Sequence, residues 1–165
     1  MKTKNIVVGS VLLACNFYAV ANDKAINVSE VAQYYDEKVI QSNIINECTQ
    51  LGAQFSTSTK KYLEKNGWSV KLEPELDESN KEQTLQLEIV NASSSGNAFI
   101  GHRKSVSIEA KLYQDGKLVD SYRGMRNSSG GFAGGFKSSC SVLARCVNTL
   151  GNDVAKWLKK VSDES

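Results

Sequence analysis

The chain has 165 residues, of which 41% are hydrophobic, 23% charged and 8% aromatic. That composition excludes a mostly disordered chain, a collagen-like chain and a multi-pass membrane protein, and it fits one globular domain. The formal charge is +2, too small to gather nucleic acid by its overall field.

Met1-Lys2-Thr3-Lys4 opens the chain with positive charge, and an apolar run follows from Ile6 to Phe17 and beyond. Ala19-Val20-Ala21 then precedes polar Asn22-Asp23-Lys24. A positive start, an apolar middle and an A-x-A site predict a secretory signal peptide over residues 1–21, cleaved between Ala21 and Asn22. The run is too short to span a bilayer convincingly. A competing pattern lies inside it. Leu12-Leu13-Ala14-Cys15 resembles a lipobox, in which Cys15 would carry a lipid and anchor the protein to a membrane. Leu is unfavourable just before that Ala, and the residues after Cys15 stay apolar, so soluble export is the expectation. Cleavage removes Lys2 and Lys4 and no acidic residue, so 20 basic residues become 18 against 18 acidic ones. The expected mature chain, residues 22–165, is a net-neutral single domain of a bacterial periplasm or exterior.

In chain order, Ala25 to Tyr35 reads as a first strand, with Ile26, Val28 and Val31 apolar. Ile44 to Lys65 reads as one helix: Ile44, Ile45, Cys48, Leu51, Phe55, Tyr62 and Leu63 recur at three- and four-residue steps. Ser42 or Asn43 is placed to cap it, and Asn66-Gly67 to stop it. Trp68, Val70 and Leu72 alternate with polar residues and predict a short strand. Glu73 to Glu82 is an acidic loop without the ligand spacing and turn glycine of a calcium site. Leu85, Leu87 and Ile89 predict a half-buried strand, and Asn91 to Gly101, rich in Ser, Gly and Asn, a loop. Val106, Ile108, Ala110 and Leu112 alternate up to Asp115-Gly116, a two-residue hairpin turn. Counting outward pairs Leu112 with Val119 toward the core, and Lys111 with Asp120 on the other face. Asn127 to Phe136 is a glycine-rich loop. A second amphipathic helix follows from Ser139 to Lys160, with Lys156, Lys159 and Lys160 near its C-terminus. This order predicts an α/β (α+β) two-layer sandwich: a mostly antiparallel sheet carrying two amphipathic helices.

The glycine-rich stretch nearly spells a phosphate-binding loop with Gly130, Gly135, Lys137 and Ser138, but Phe136 stands where Lys should follow Gly directly. His102 is the only histidine, in a polar Gly-His-Arg-Lys segment. No nucleophile–base pair, carboxylate pair or zinc-spaced cysteine set singles itself out, so no catalytic residue, metal or cofactor is expected. Arg103, Lys104, Arg123, Arg126 and Lys137 concentrate positive charge in the C-terminal half. Phe99, Phe132 and Phe136 fall in loops, where phenylalanine either tucks under the domain or forms a sticky surface. The expected partner-binding element is therefore Arg126, Gly130, Gly131, Phe132, Gly134, Gly135, Phe136 and Lys137, engaging a protein of the cell envelope.

Three cysteines remain after cleavage, Cys48, Cys140 and Cys146. In an oxidising compartment Cys48 is expected to bond Cys140 or Cys146. Within one helix Cys140 and Cys146 would stand about 9 Å apart along the axis, beyond disulfide reach. Both partners for Cys48 stay open, with Cys140 preferred because each of that pair flanks a helix start.

The run Arg103-Lys104-Ser105-Val106-Ser107-Ile108 with Leu112-Tyr113-Gln114-Asp115-Gly116-Lys117-Leu118-Val119 resembles a family of small exported bacterial proteins, domain of unknown function 4410. Ser128-Ser129-Gly130-Gly131, Phe136-Lys137, the segment Cys140 to Cys146 and Asp153-Val154-Ala155-Lys156-Trp157-Leu158 extend the likeness, as do Glu47-Cys48 and Leu51 upstream. The resemblance implies an exported, often envelope-associated α/β domain with no known reaction, some members being lipoproteins. The functional expectation is a non-enzymatic binding or assembly module of the periplasm or envelope. Its alternative is an inhibitor or immunity-type protein that blocks an exported enzyme.

Overall fold

A computed structural model describes residues 24–77, 82–97, 101–128 and 138–164, without the side chains of residues 96–97 and 101–102. Its elements are β1 (Ala25–Ser29), β2 (Gln33–Tyr34), a 3-10 turn (Glu37–Val39), α1 (Ser42–Glu47), α2 (Leu51–Lys65), β3 (Ser69–Glu73), β4 (Thr84–Asn97), β5 (Gly101–Gln114), β6 (Lys117–Ser128) and α3 (Ser139–Glu164). The sheet has six strands in the order β3-β1-β4-β5-β6, with β2 also on β4. β4, β5 and β6 form an antiparallel meander, while β1, β2 and β3 pair in parallel at the other side. The expected α+β two-layer sandwich is what forms: α2 and α3 cover one sheet face, and the core lies between the layers.

That core follows from two periodicities. Leu85, Leu87 and Ile89 on β4 and Val106, Ile108, Ala110 and Leu112 on β5 are buried at alternate positions. Phe55, Leu63, Leu143, Val147, Leu150, Val154 and Leu158 meet them at helical spacing. The helices approach closely at Gly151, where an added Cβ would lie 2.8 Å from the backbone of Ser58 and Thr59.

Four expected elements need correction. The first strand is broken: after Ser29 the chain turns so that Ala32 N–H donates to Gly52 O of α2 at 3.4 Å, then re-pairs with β4 as β2. Gly52 is required there, because a Cβ would strike Ala32 O. The first helix is also broken: α1 ends at Cys48 (φ −104, ψ 44), and α2 restarts at Leu51. No side chain caps α1, whose N-cap is Gln41; Ser42 is already helical. The Asn91–Gly101 loop is instead strand over 91–97, paired with β5 from Asn91 opposite Ser107 to Asn97 opposite Gly101. Its small polar residues are tolerated because the β5 backbone supplies the partners. The turn at Asp115-Gly116 is correct, with φ of 50 and 72, but the hairpin register is not. A bulge at Val119 places Leu112 opposite Asp120 and Lys111 opposite Ser121. The second helix starts as expected and runs on to Glu164, so its last turn carries no base and the lysines sit a turn back.

Candidate functional site

Cys48 and Cys140 are joined, with Cα atoms 5.2 Å apart and a sequence separation of 92. The break after α1 is what brings Cys48 beside the first turn of α3. Cys146 is free and buried on the inner face of α3, and burial pushes its thiol pKa up.

The disulfide belongs to a set of ties around one end of the sandwich. Ser94 Oγ on β4 and Ser139 Oγ on α3 are 3.0 Å apart, and Gln41 Oε1 accepts from Ser94 N at 2.7 Å. Ser138 Oγ accepts the Ser141 N–H at 3.2 Å, so a side chain already caps one of the first amides of α3. On the other flank, β6 stays in register with β5 to Ser128 opposite Lys104. Arg126 holds Asp153 of α3 in a two-pronged pair, with Nη2 2.7 Å and Nε 2.8 Å from one carboxylate oxygen. The glycine-rich segment therefore leaves a strand pinned to α3 and rejoins the chain beside a disulfide.

Of the expected partner-binding residues, Arg126 lies in this frame, half-exposed and paired. Gly130, Gly131, Phe132, Gly134, Gly135, Phe136 and Lys137 lie outside the described residues, as do Ala21, Asn22, Cys15 and Phe99. His102 belongs to β5 by its backbone. The expected basic concentration divides between the two faces. Arg103 is exposed, Lys104 is buried, Arg126 turns to α3, and Arg123 lies on the opposite, uncovered sheet face.

That uncovered face carries a feature the sequence reading missed. Lys111 Nζ lies 2.9 Å from Glu88 Oε2 and 4.0 Å from Glu109 Oε2, and Arg123 Nε donates to Glu109 Oε1 at 3.0 Å. Acid and base alternate across β4, β5 and β6. The hydrogen bond to Glu88 holds the Lys111 pKa above the usual lysine value against partial burial. A shallow cavity of about 630 Å³ opens beside this row, walled by Tyr35, Val90 and Met125 with Glu109, Lys111 and Arg123. Tyr35 and Met125 are 67% and 60% exposed, an apolar rim around matched charges. The signal was present in the outward positions of three strands. Pairing Lys111 with Asp120 hid it, because the Val119 bulge and the β4 neighbour were not legible. Chemically, each described acid of this row is already engaged by a base. Among the described residues no three His, Cys, Asp or Glu side chains are grouped to hold a metal ion.

The sequence matches no family model and no curated protein, so the resemblance over most of Ile44 to Leu158 stands on the residues alone. Solved structures do share the fold. A Xanthomonas campestris protein of the family of unknown function DUF330 superposes with a TM-score of 0.58 at 13% identity, over 94% of this chain and 97% of that one. A single-residue variant of the PelC dodecamer from Paraburkholderia phytofirmans superposes with a TM-score of 0.50 at 15% identity, over 79% of this chain and 85% of that one. Identity this low shows a common fold and nothing finer.

Proposed function

We propose that this chain is an exported, non-enzymatic binding or assembly module of the bacterial cell envelope, and that it engages a protein partner through the glycine-rich segment between β6 and α3. The observation that carries the reading is the mounting of that segment. One flank is pinned by Arg126–Asp153 and the other by Cys48–Cys140 and Ser94–Ser139. A frame fixed on both sides lowers the ordering entropy that glycines would otherwise lose on binding. Phe132, Phe136 and Lys137 supply the segment with aromatic and cationic contacts of the kind that anchor interfaces. The disulfide supports an oxidising compartment, in keeping with the leader over residues 1–21. No helix among the described residues is long and apolar enough to cross a membrane. The DUF330 and PelC neighbours are bacterial proteins of the same fold, and membership among small exported proteins of the 4410 type fits that company.

The test places a photo-crosslinking phenylalanine analogue at Phe132 in the exported protein, with the same analogue at exposed Lys61 on α2 as control. A discrete protein adduct is expected from position 132 and not from 61, and it should disappear when Lys137→Ala is added. An abundant structural partner in the adduct supports assembly. A hydrolase or toxin replaces this reading with the inhibitor or immunity alternative. Equal labelling from both positions, or none from 132, overturns the binding segment. The Phe132→Ala, Lys137→Ala double variant should keep its Tm within a few degrees. A clear loss of stability would show that Phe132 is core instead.

A further inference from the structure

The end of the sandwich opposite the glycine-rich segment holds a second cavity, of about 470 Å³, between the last turns of α3 and the ends of β1, β5 and β6. Its size lies in the range of small-molecule sites. Leu112 and Val119 from the sheet and Leu158 and Val161 from α3 give it an apolar wall. Trp68 also lines it and is only 5% exposed, yet its indole Nε1–H is a buried donor with no acceptor. Buried donors are nearly always satisfied, so an orphan beside a cavity points to an acceptor that enters from outside. Lys24 lines the same cavity with its ammonium 5.7 Å from the centroid of the Trp68 ring, and among the described residues it makes no ion pair. Of the other polar residues of the mouth, Ser162 adds a hydroxyl, and Glu82, Gln83 and Gln114 are engaged. Glu82 accepts from Asn27 Nδ2 at 2.8 Å, and Gln83 Nε2 donates to Gln114 Oε1 at 3.3 Å. The cavity thus combines one unsatisfied N–H buried in its wall, one cation and the Ser162 hydroxyl beside a strip of aliphatic side chains.

We propose that this cavity binds an aliphatic carboxylate of medium chain length. Its head is taken by the Lys24 ammonium and the Trp68 indole N–H, and its chain lies along Leu112, Val119, Leu158 and Val161. A carboxylate is the acceptor both donors favour, and charge-assisted hydrogen bonds are roughly twice as strong as neutral ones. The site is independent of the glycine-rich segment and of any protein partner there.

The experiment titrates the exported protein with decanoate while following the indole N–H signals of Trp68 and Trp157 by NMR, assigned with Trp68→Phe. Trp157 is an internal control, because its Nε1 already donates to Asp120 at 3.1 Å. Decanoate should move the Trp68 signal saturably downfield and leave that of Trp157 in place. Decanol, which lacks the carboxylate, should bind about tenfold or more weakly, as should decanoate to Lys24→Gln. Val119→Asp, at a half-exposed position of the bulge, should exclude decanoate with the fold intact, as melting would verify. An unmoved Trp68 signal at millimolar decanoate overturns the proposal. So does equal binding of decanol and decanoate, or unchanged decanoate affinity in Lys24→Gln.

Discussion

Cys146 lies six positions after Cys140 on α3, and the two thiols have opposite fates. Cys140 sits in the first turn, within reach of the α1–α2 break. Cys146 faces the core, where burial raises its pKa and excludes reagents. In the native exported protein, a thiol reagent should find nothing to modify; after denaturation without reductant, Cys146 alone should react, with Cys48–Cys140 recovered as one linked peptide. Replacing Cys48 and Cys140 by Ala should lower stability by about 2–4 kcal/mol in chemical denaturation. Among the described residues, five groups have their pKa displaced upward: Cys146, Tyr34 and Tyr122 chiefly by burial, and Lys71 and Lys111 by hydrogen bonds to Glu73 and Glu88. A raised folded-state pKa means that the unfolded chain loses its proton first, so stability is whole at lower pH and falls as pH rises past the unfolded value. The Tm should therefore decline from about pH 8.5, where an unfolded Cys ionises, and more steeply above about pH 10 as Tyr and Lys follow. Cys146→Ala should remove the earliest part of that decline, leaving the rest.

At the scale of elements, two glycines decide how the helices lie. Gly151 lets α3 touch the backbone of α2 at Ser58 and Thr59, and Gly52 lets the chain between β1 and β2 bond to α2. Gly151→Leu should force the helices apart and lose about 1–3 kcal/mol, more than the roughly 1 kcal/mol gained in helix propensity. Gly67→Ala is the contrasting case: nothing lies within 4 Å of its Cβ position, and the loss, about 1 kcal/mol, comes from its φ of +86 alone. Denaturant midpoints of the two variants test this order. Both helices were legible because their apolar stripes are long. The break at Cys48–Gln50 was not, since Cys48 and Leu51 keep the helical spacing on either side of it.

For the whole molecule, one sheet face is covered by helices and the other is left with matched ion pairs. Glu88→Gln deprives Lys111 of its nearest acid, but Glu109 remains 4.0 Å away, so urea unfolding should show a loss of about 1 kcal/mol or less. The row is only partly open to solvent, with the Lys111 and Glu88 side chains 22% and 14% exposed, so added salt should shrink that loss only modestly. The proposed export concerns the whole chain as well. The intact mass of the native protein should correspond to a chain beginning at Asn22. A diacylglyceryl adduct on Cys15 would instead place the protein on a membrane.

The α+β class, the Asp115-Gly116 turn, the start of α3 and the buried alternation of β4 and β5 were all readable from the chain. Each depends on local periodicity or on a turn that only certain residues form. The preference for Cys48–Cys140 over Cys48–Cys146 was readable in part, because both cysteines of that pair flank a helix start. Strand order, the parallel pairing of β1 with β3 and β4, and the extension of β4 through its serines depend on partners far away in sequence. The Val119 bulge escaped for the same reason: the next strand fixes register, and one extra residue there puts Ser121 rather than Asp120 opposite Lys111, whose acid partner Glu88 comes from β4 instead. Nor did composition mark the two cavities, since the residues that wall them come from strands and helices that only packing brings together.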